Sequence, residues 1–378
     1  MRYRALGSTG LEVSEIGFGP EWMKGTPEET REIAETLRAA GVNYLDCWMA
    51  DPHIRSNLGF AMEGHADEWI VQGHIGSCWV DGQYLRSRDV ALARPAFEEQ
   101  LRLLGVDHVE VGMMHYIDSV GEFDTCMQGE FFSYVEELLA AGTIRHVGLS
   151  THNPEVALAA VRSGKVEVIM FSINPAFDML PASDDINTLF GDYSEAGGNI
   201  DPVRAELYAL CEAAGVGLTV MKPYAGGRLL SAGESPFGVA LTPQQCIHYC
   251  LTRPAVATVL AGYKTVAEAE NALAYESADP ATLDYASVLA DAPAHAYFGQ
   301  CTYCGHCQPC VVGIDIATVN KFADLALAQD EVPDSVREHY RALDVDASDC
   351  TGCGSCEPNC PFGVKISERM EETARLFA

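Results

Sequence analysis

Between residues 16 and 275, short apolar runs alternate with longer stretches whose apolar positions recur every three or four residues. Runs of the first kind read as strands covered on both faces, where polar alternation disappears. There are eight: "EIGFG" (15–19), "VNYLD" (42–46), "EWIVQGH" (68–74), "VEVGMMH" (109–115), "IRHVGLS" (144–150), "VEVIMFSIN" (166–174), "VGLTVMKP" (216–223) and "VATVLAG" (256–262). Stretches of the second kind, such as "PEETREIAETLRAAG" (27–41) and "FFSYVEELLAAG" (131–142), read as amphipathic helices. The latter ends on Gly142, a residue suited to a left-handed cap. Eight strand–helix units in about 260 residues predict a closed α/β barrel of the (β/α)8 TIM type. A doubly wound open sheet is the alternative, and the lack of a G-x-G-x-x-G after the first strand weighs against it. One irregular insert, residues 175–201, follows the sixth strand and is acidic and glycine-rich. It reads as a lid, a docking surface or a plain solvated loop.

After residue 276 the pattern changes. Residues 278–300 read as a helix and connector. Then come "CTYCGHCQPCVVGIDI" (301–316), two helical stretches, "CTGCGSCEPNCPFGVKI" (350–366) and a closing helix. The expected division is a barrel over 1–280, a connector over 281–300 and a small α-helical domain over 301–378. The two cysteine blocks repeat each other, "CVVGIDI" answering "CPFGVKI". Such C-x-x-C runs wrap thiolates around an iron–sulfur cubane, and in two-cluster ferredoxins the fourth cysteine of each run serves the other cluster. One 4Fe-4S cluster would then take Cys301, Cys304, Cys307 and Cys360, and the other Cys350, Cys353, Cys356 and Cys310. Cys310 departs from the bacterial pattern, because its gap is two residues and Val311 stands where proline is usual. A pair of zinc knuckles is the competing reading. His306 reads as a neighbour of the cluster or a surface residue, and the six cysteines outside the runs as core or inert thiols.

Composition narrows the partners. Formal net charge is −30 with a pI near 4.5. A surface so acidic repels phosphate backbones and anionic lipid, so nucleic acid is not expected. No run of about 18 apolar residues predicts a membrane span. The start "MRYRALGSTGLEV" has no apolar signal core. Clustered cysteines without an export signal point to a reducing cytoplasm.

The opening "RALGSTGLEVSEIGFG" (4–19), Asp46 at the end of the second strand and His115 at the end of the fourth together resemble the aldo/keto reductase family. The resemblance covers about residues 1–275. With the cysteine blocks, the chain resembles the iron–sulfur-containing branch of that family. It implies an eight-stranded barrel whose floor is closed by an N-terminal hairpin, residues 2–14. It also implies hydride transfer from NADPH to a carbonyl by an Asp–Tyr–Lys–His tetrad. Here only Asp46 and His115 match: the Tyr position is Asp51 and the Lys position is His74. A carboxyl at 51 could act as a proton donor near pH 7 only if burial raised its pKa from about 4 toward 7.

The family's cofactor contacts are altered too. Positions for the nicotinamide-binding Asn and Gln and the stacking Tyr align with Thr151, Met170 and Met221. The 2′-phosphate Lys and Arg positions become Ala261 and Ala267, while Glu270 and Asn271 match the adenine-side pair. Lys222, Arg228 and Lys264, with Gly262, are the candidates left to hold a cofactor. Losing several contacts of about 0.5–3 kcal/mol each weakens NADPH binding by orders of magnitude. The expected electron source is therefore the clusters, fed or drained by a ferredoxin-like or other redox protein. Proton delivery to a small organic substrate falls to His115, His74, Asp51 or Tyr116, with a His74–Asp46 pair replacing Lys–Asp. Two further readings stand beside this one: an NAD(P)H-dependent carbonyl reductase with an altered tetrad, and a non-catalytic electron-transfer subunit. A bound flavin would couple one- and two-electron steps, but no motif indicates one.

Overall fold

A computed structural model describes residues 1–191, 193, 196, 198–292, 297–329 and 331–378. The chain opens with an antiparallel hairpin, β1 (Tyr3–Ala5) and β2 (Glu12–Ser14). The barrel follows, with β3 (Ile16–Gly19), β4 (Tyr44–Cys47) and β5 (Ile70–Ile75) as its first three strands. A second hairpin, β6 (Ser77–Val80) and β7 (Gln83–Arg86), interrupts it. It then continues through β8 (Val109–Met114), β9 (Ile144–Thr151), β10 (Val168–Ser172), β11 (Gly217–Met221) and β12 (Val256–Gly262). The eight barrel strands pair in parallel in that order, and β12 closes on β3 through Val259–Ile16 and Gly262–Gly19. Each lies inside one of the eight apolar runs or overlaps it to within a residue. The open-sheet alternative falls, because no edge remains.

Local chemistry sets the helices. Those of the barrel are α1 (Pro27–Ala39), α2 (Pro52–Met62), α3 (Val90–Leu104), α4 (Val120–Gln128), α5 (Glu130–Ala141), α6 (Pro154–Ser163), α7 (Pro202–Ala214), α8 (Pro243–Thr252) and α9 (Val266–Leu273). Thr26 and Glu29 make a reciprocal capping box at the start of α1, with Pro27 in the first turn. Gly142 ends α5 at φ 72°, ψ 15°, the left-handed cap its position suggested. Inside the barrel, Tyr44, Val111, Met113, Val168, Met170 and Met221 pack with Leu6 and Val13. The last two belong to the N-terminal hairpin and its turn, which plug the floor.

The insert at 175–201 begins as core rather than as a lid. Residues 175–180 are all buried, with Phe177–Met179 forming a single 3₁₀ turn. Phe177, Met179 and Leu180 supply the apolar area that a free loop would lack. Its positions 192, 194, 195 and 197 lie outside the described residues.

The C-terminal part contributes α10 (Tyr285–Ala290), α11 (Ile316–Leu327), α12 (Asp334–Arg341) and α13 (Ile366–Phe377). It is fastened to the barrel wall. The carbonyl of Thr302 accepts from Arg253 Nη2 (2.5 Å) and Tyr285 O–H (2.7 Å). Tyr297 is fully buried and donates to the carbonyl of Pro175. Lys321 on α11 faces Glu212 on α7 at 3.7 Å. No helix among the described residues is long and apolar enough to cross a membrane.

Candidate active site

The C-terminal ends of the barrel strands open into a cavity of about 670 Å³. Asp46 (β4), His74 (β5) and His115 (after β8) all line it, and each is at most 3% exposed. They form a hydrogen-bonded row. His74 Nε2 lies 2.8 Å from Asp46 Oδ1, and His74 Nδ1 lies 2.8 Å from His115 Nδ1. The far nitrogen of His115, Nε2, lies 2.7 Å from the phenol of Tyr84. Gln72 Nε2 donates to Asp46 Oδ1 at 2.7 Å, and its carbonyl accepts from Tyr44 (2.8 Å) and Thr219 (3.1 Å), which fixes the amide's orientation.

With both imidazoles neutral, one proton arrangement satisfies every contact. A carboxylate only accepts, so His74 carries its proton on Nε2. His74 Nδ1 then accepts from His115 Nδ1–H, and His115 Nε2 accepts from the Tyr84 O–H. Both imidazoles are neutral in this state. Burial, then the neighbouring His74, Arg88 and Arg86, push the His115 pKa well below its ordinary value, which agrees. Burial pushes the Tyr84 phenol up to about 12, against the pull of Arg86 and Arg88. Trp48 stacks parallel on the His115 ring at 6.0 Å and meets Tyr84 edge-on, also at 6.0 Å. A row in this arrangement can take a proton from a group that touches Tyr84 and hold it next to Asp46, the logic of a base oriented by a third group.

Tyr84 enters from the β6–β7 hairpin, an addition that the run of eight strands did not reveal. Its signature was present nonetheless: Asp81-Gly82 sits between "CWV" and "QYL", and Val80 pairs Gln83 across a two-residue turn. Asp81 (φ 50°) and Gly82 (φ 76°) both take the left-handed conformation that such a turn requires.

The remaining candidates divide. Tyr116, Lys222, Gly262, Lys264 and Asn271 line the cavity. Asp51 does not: its carboxylate caps α2, accepting from the backbone N–H of His53 at 2.9 Å. Arg228 stands over the Tyr193 ring at 5.4 Å, and Glu270 is exposed on α9; neither is among the lining residues. Lys264 lies over the Trp22 ring at 4.4 Å. Met170 and Met221 line the cavity at the positions aligned with nicotinamide contacts, whereas Thr151 turns its hydroxyl away to Asp118 at 2.9 Å. Sequence reasoning also passed over Trp48, Gln72 and an Asp118–His152 pair (2.9 Å), the imidazole of which lines the cavity.

Two smaller hollows lie in the C-terminal part. Cys301, Cys304, Cys307 and Cys360 line one, with Phe362 and His306. Cys310, Cys350, Cys353 and Cys356 line the other. All eight are free thiols. No three His, Cys, Asp or Glu side chains among the described residues gather as ligands of a single ion. Four thiols spread around a hollow suit a polynuclear cluster better than one tetrahedral zinc. His306 pairs with Asp284 at 3.0 Å. The two quartets differ in exposure. Cys307 of the first is buried, while Cys353 of the second is exposed beside Val311, itself 66% exposed. The first quartet adjoins Thr302, which is tied to Arg253 and Tyr285 just past the C-terminal end of α8; Pro243, at the other end of that helix, lines the cavity. Ten residues of helix span about 15 Å.

A family model described as the aldo/keto reductase family matches residues 16–242, and the chain belongs to that family. A 4Fe-4S binding domain model matches residues 343–365, which contain the second cysteine run. Among curated relatives, an uncharacterized oxidoreductase, YqkF of Bacillus subtilis, is 26% identical over 187 residues, covering 48% of this chain and 58% of that one. Aldo-keto reductase YhdN of the same organism is 27% identical over 165 residues, covering 41% and 48%. The chain thus spans about half the length of the curated relatives it matches. Among solved structures, aldo-keto reductase AKR11C1 from Bacillus halodurans in its holo form has a TM-score of 0.58 at 23% identity, covering 74% of this chain and 92% of that one. That likeness is one of fold.

Proposed function

We propose that the protein is an iron–sulfur oxidoreductase acting on a small organic substrate in the barrel cavity and exchanging electrons with a redox protein through two 4Fe-4S clusters. The observation that carries this reading is the row Asp46–His74–His115–Tyr84, which supplies proton chemistry where the family's Tyr and Lys are missing. In the resting arrangement Tyr84 meets the substrate oxygen. As a substrate hydroxyl gives up its proton to Tyr84, the phenol's own proton passes to His115 Nε2. His74 then accepts from His115, with Asp46 stabilising the charge; conversion to a carbonyl would also release the carbon-bound hydrogen as a second proton to cavity water, and two electrons that the clusters would carry one at a time. In the reverse direction the row must first take up a proton before it can protonate a carbonyl oxygen. Trp48 fixes the His115 ring, and Met170 and Met221 leave the cavity floor apolar.

Cys301, Cys304, Cys307 and Cys360 would hold the inner cluster, and Cys310, Cys350, Cys353 and Cys356 the outer one. Bound there, the clusters supply one-electron oxidation and reduction. Exposed Val311 and Cys353 make the outer quartet the natural docking point for a redox partner. An NAD(P)H-dependent reductase is the second reading, favoured by one observation: the cavity runs on to Gly262, Lys264 and Asn271.

The test is turnover with a viologen dye as electron carrier, screened over small alcohols and carbonyls under anaerobic conditions. Tyr84→Phe and His115→Gln are expected to lose about 10²–10⁴-fold in rate with unchanged iron content. Full turnover in either variant removes the row from the reaction.

A further inference from the structure

The cavity holds a second set of polar groups that the proton row does not use. Asp118 accepts from the Thr151 hydroxyl (2.9 Å), the His152 backbone N–H (2.7 Å) and His152 Nδ1 (2.9 Å). Burial raises the Asp118 carboxyl, but these hydrogen bonds from His152 outweigh it and hold the group below its ordinary range. The carboxylate therefore fixes the proton of His152 on Nδ1, which leaves Nε2 as an acceptor. That nitrogen is buried and has no partner among the described residues, although the ring, 7% exposed, lines the cavity. An acceptor on the cavity wall can take a hydrogen bond from a ligand's O–H.

Lys222 lines the same cavity, and no described carboxylate lies within 4 Å of its ammonium. Burial lowers its pKa, with Glu21 and Asp118 opposing more weakly. An anion arriving there would relieve that cost. Its backbone is left-handed (φ 57°), held by Asn174 Nδ2 on its carbonyl at 2.9 Å. Tyr116 is left-handed as well (φ 50°), its carbonyl held by Arg86 and Arg88, each at 2.9 Å. Such conformations are strained for residues other than glycine and gather where a site needs a side chain aimed. The Tyr116 ring stands edge-on between the two imidazoles, 6.1 Å from His115 and 5.0 Å from His152. Aromatic faces from Trp22, Trp48 and Tyr224 complete the wall.

We propose that Lys222 and His152 form a recognition subsite for a hydroxycarboxylic acid of several carbons, the ammonium taking the carboxylate and His152 Nε2 accepting from one hydroxyl while a second hydroxyl reaches Tyr84. The proposal rests on the reading of the cavity as the substrate site. It is tested by binding alone, so that it can fail while the redox reading stands.

The probes are gluconate, its uncharged relative sorbitol and its deoxygenated relative hexanoate, titrated calorimetrically into the full-length, iron-loaded protein at neutral pH. Gluconate is expected to bind at least ten-fold tighter than sorbitol. Lys222→Met should erase that difference and Lys222→Arg should keep most of it. His152→Phe should weaken gluconate while leaving hexanoate unchanged. Far-UV circular dichroism and thermal midpoints establish that the variants fold. Equal binding of gluconate and sorbitol, no gluconate binding by the wild-type protein, or full gluconate affinity in Lys222→Met overturns the proposal. Lys222-dependent binding of NADPH in place of gluconate overturns it too, assigning the ammonium to a cofactor phosphate.

Discussion

The row from Tyr84 to Asp46 bears on stability as well as on chemistry. His115 stays neutral in the fold because it is buried and faces His74, Arg88, Arg86 and His152. In the unfolded chain it titrates near 6.5. Below that pH the unfolded state binds a proton that the folded state refuses, so stability present above about 6.5 is lost as pH falls toward the lower folded value. Thermal midpoints measured between about pH 7 and 5 should fall, and His115→Gln should flatten the slope; an unchanged slope contradicts a neutral His115. At this scale the sequence was partly legible. Asp46, His74 and His115 fall at the ends of apolar runs, where barrel strands deliver side chains to the mouth. Asp51 was misleading, because the aligned spacing that marked it as a tyrosine substitute also suits a helix cap, and Pro52 after it favours the cap.

Among the elements, periodicity located the barrel strands and could not locate what decorates them. The β6–β7 hairpin carries no buried run: all of β7 is exposed. Its only signal is a two-residue turn, yet it supplies the phenol of the site. The insert after β10 misled in the opposite sense, its acidic composition masking the buried stretch at 175–180. The second cysteine run was legible from spacing, and it lies within the stretch that the 4Fe-4S model matches. Which run serves which hollow followed from a ferredoxin rule, and the lining residues agree with that crossing. Double substitution of Cys310 and Cys353 by Ser separates the two arrangements. If the runs cross, both residues serve one cluster, and about four of about eight irons should remain per chain. If each run holds its own cluster, both sites are damaged and little iron should remain.

At the scale of the molecule, the apolar core runs from the barrel into residues 301–378, where Ile314, Val319, Leu325, Tyr340, Phe362 and Phe377 join it, and Thr302 and Lys321 tie the same stretch to Arg253 and Glu212. If the runs cross, each lacks a ligand without the other, and cluster binding would be linked to the folding of this part. Stripping iron with a chelator under anaerobic reduction should expose 301–378 to limited proteolysis and leave the barrel intact; equal resistance with and without iron contradicts the linkage. The inner quartet adjoins Thr302, which is bonded to Arg253 just past the C-terminal end of α8. Buried rings of Tyr285, Tyr249 and Tyr297 fill the space beside it, with centroids 5.2 Å apart for the first pair and 6.4 Å for the second.

The most direct measurement is an anaerobic titration of the iron-loaded protein, followed in the visible cluster bands and by nicotinamide fluorescence. A reduced ferredoxin-type donor should bleach the bands, and NADPH at equal concentration should neither bleach them nor bind stoichiometrically. Tight NADPH binding with cluster bleaching would contradict the account and restore hydride chemistry to this barrel.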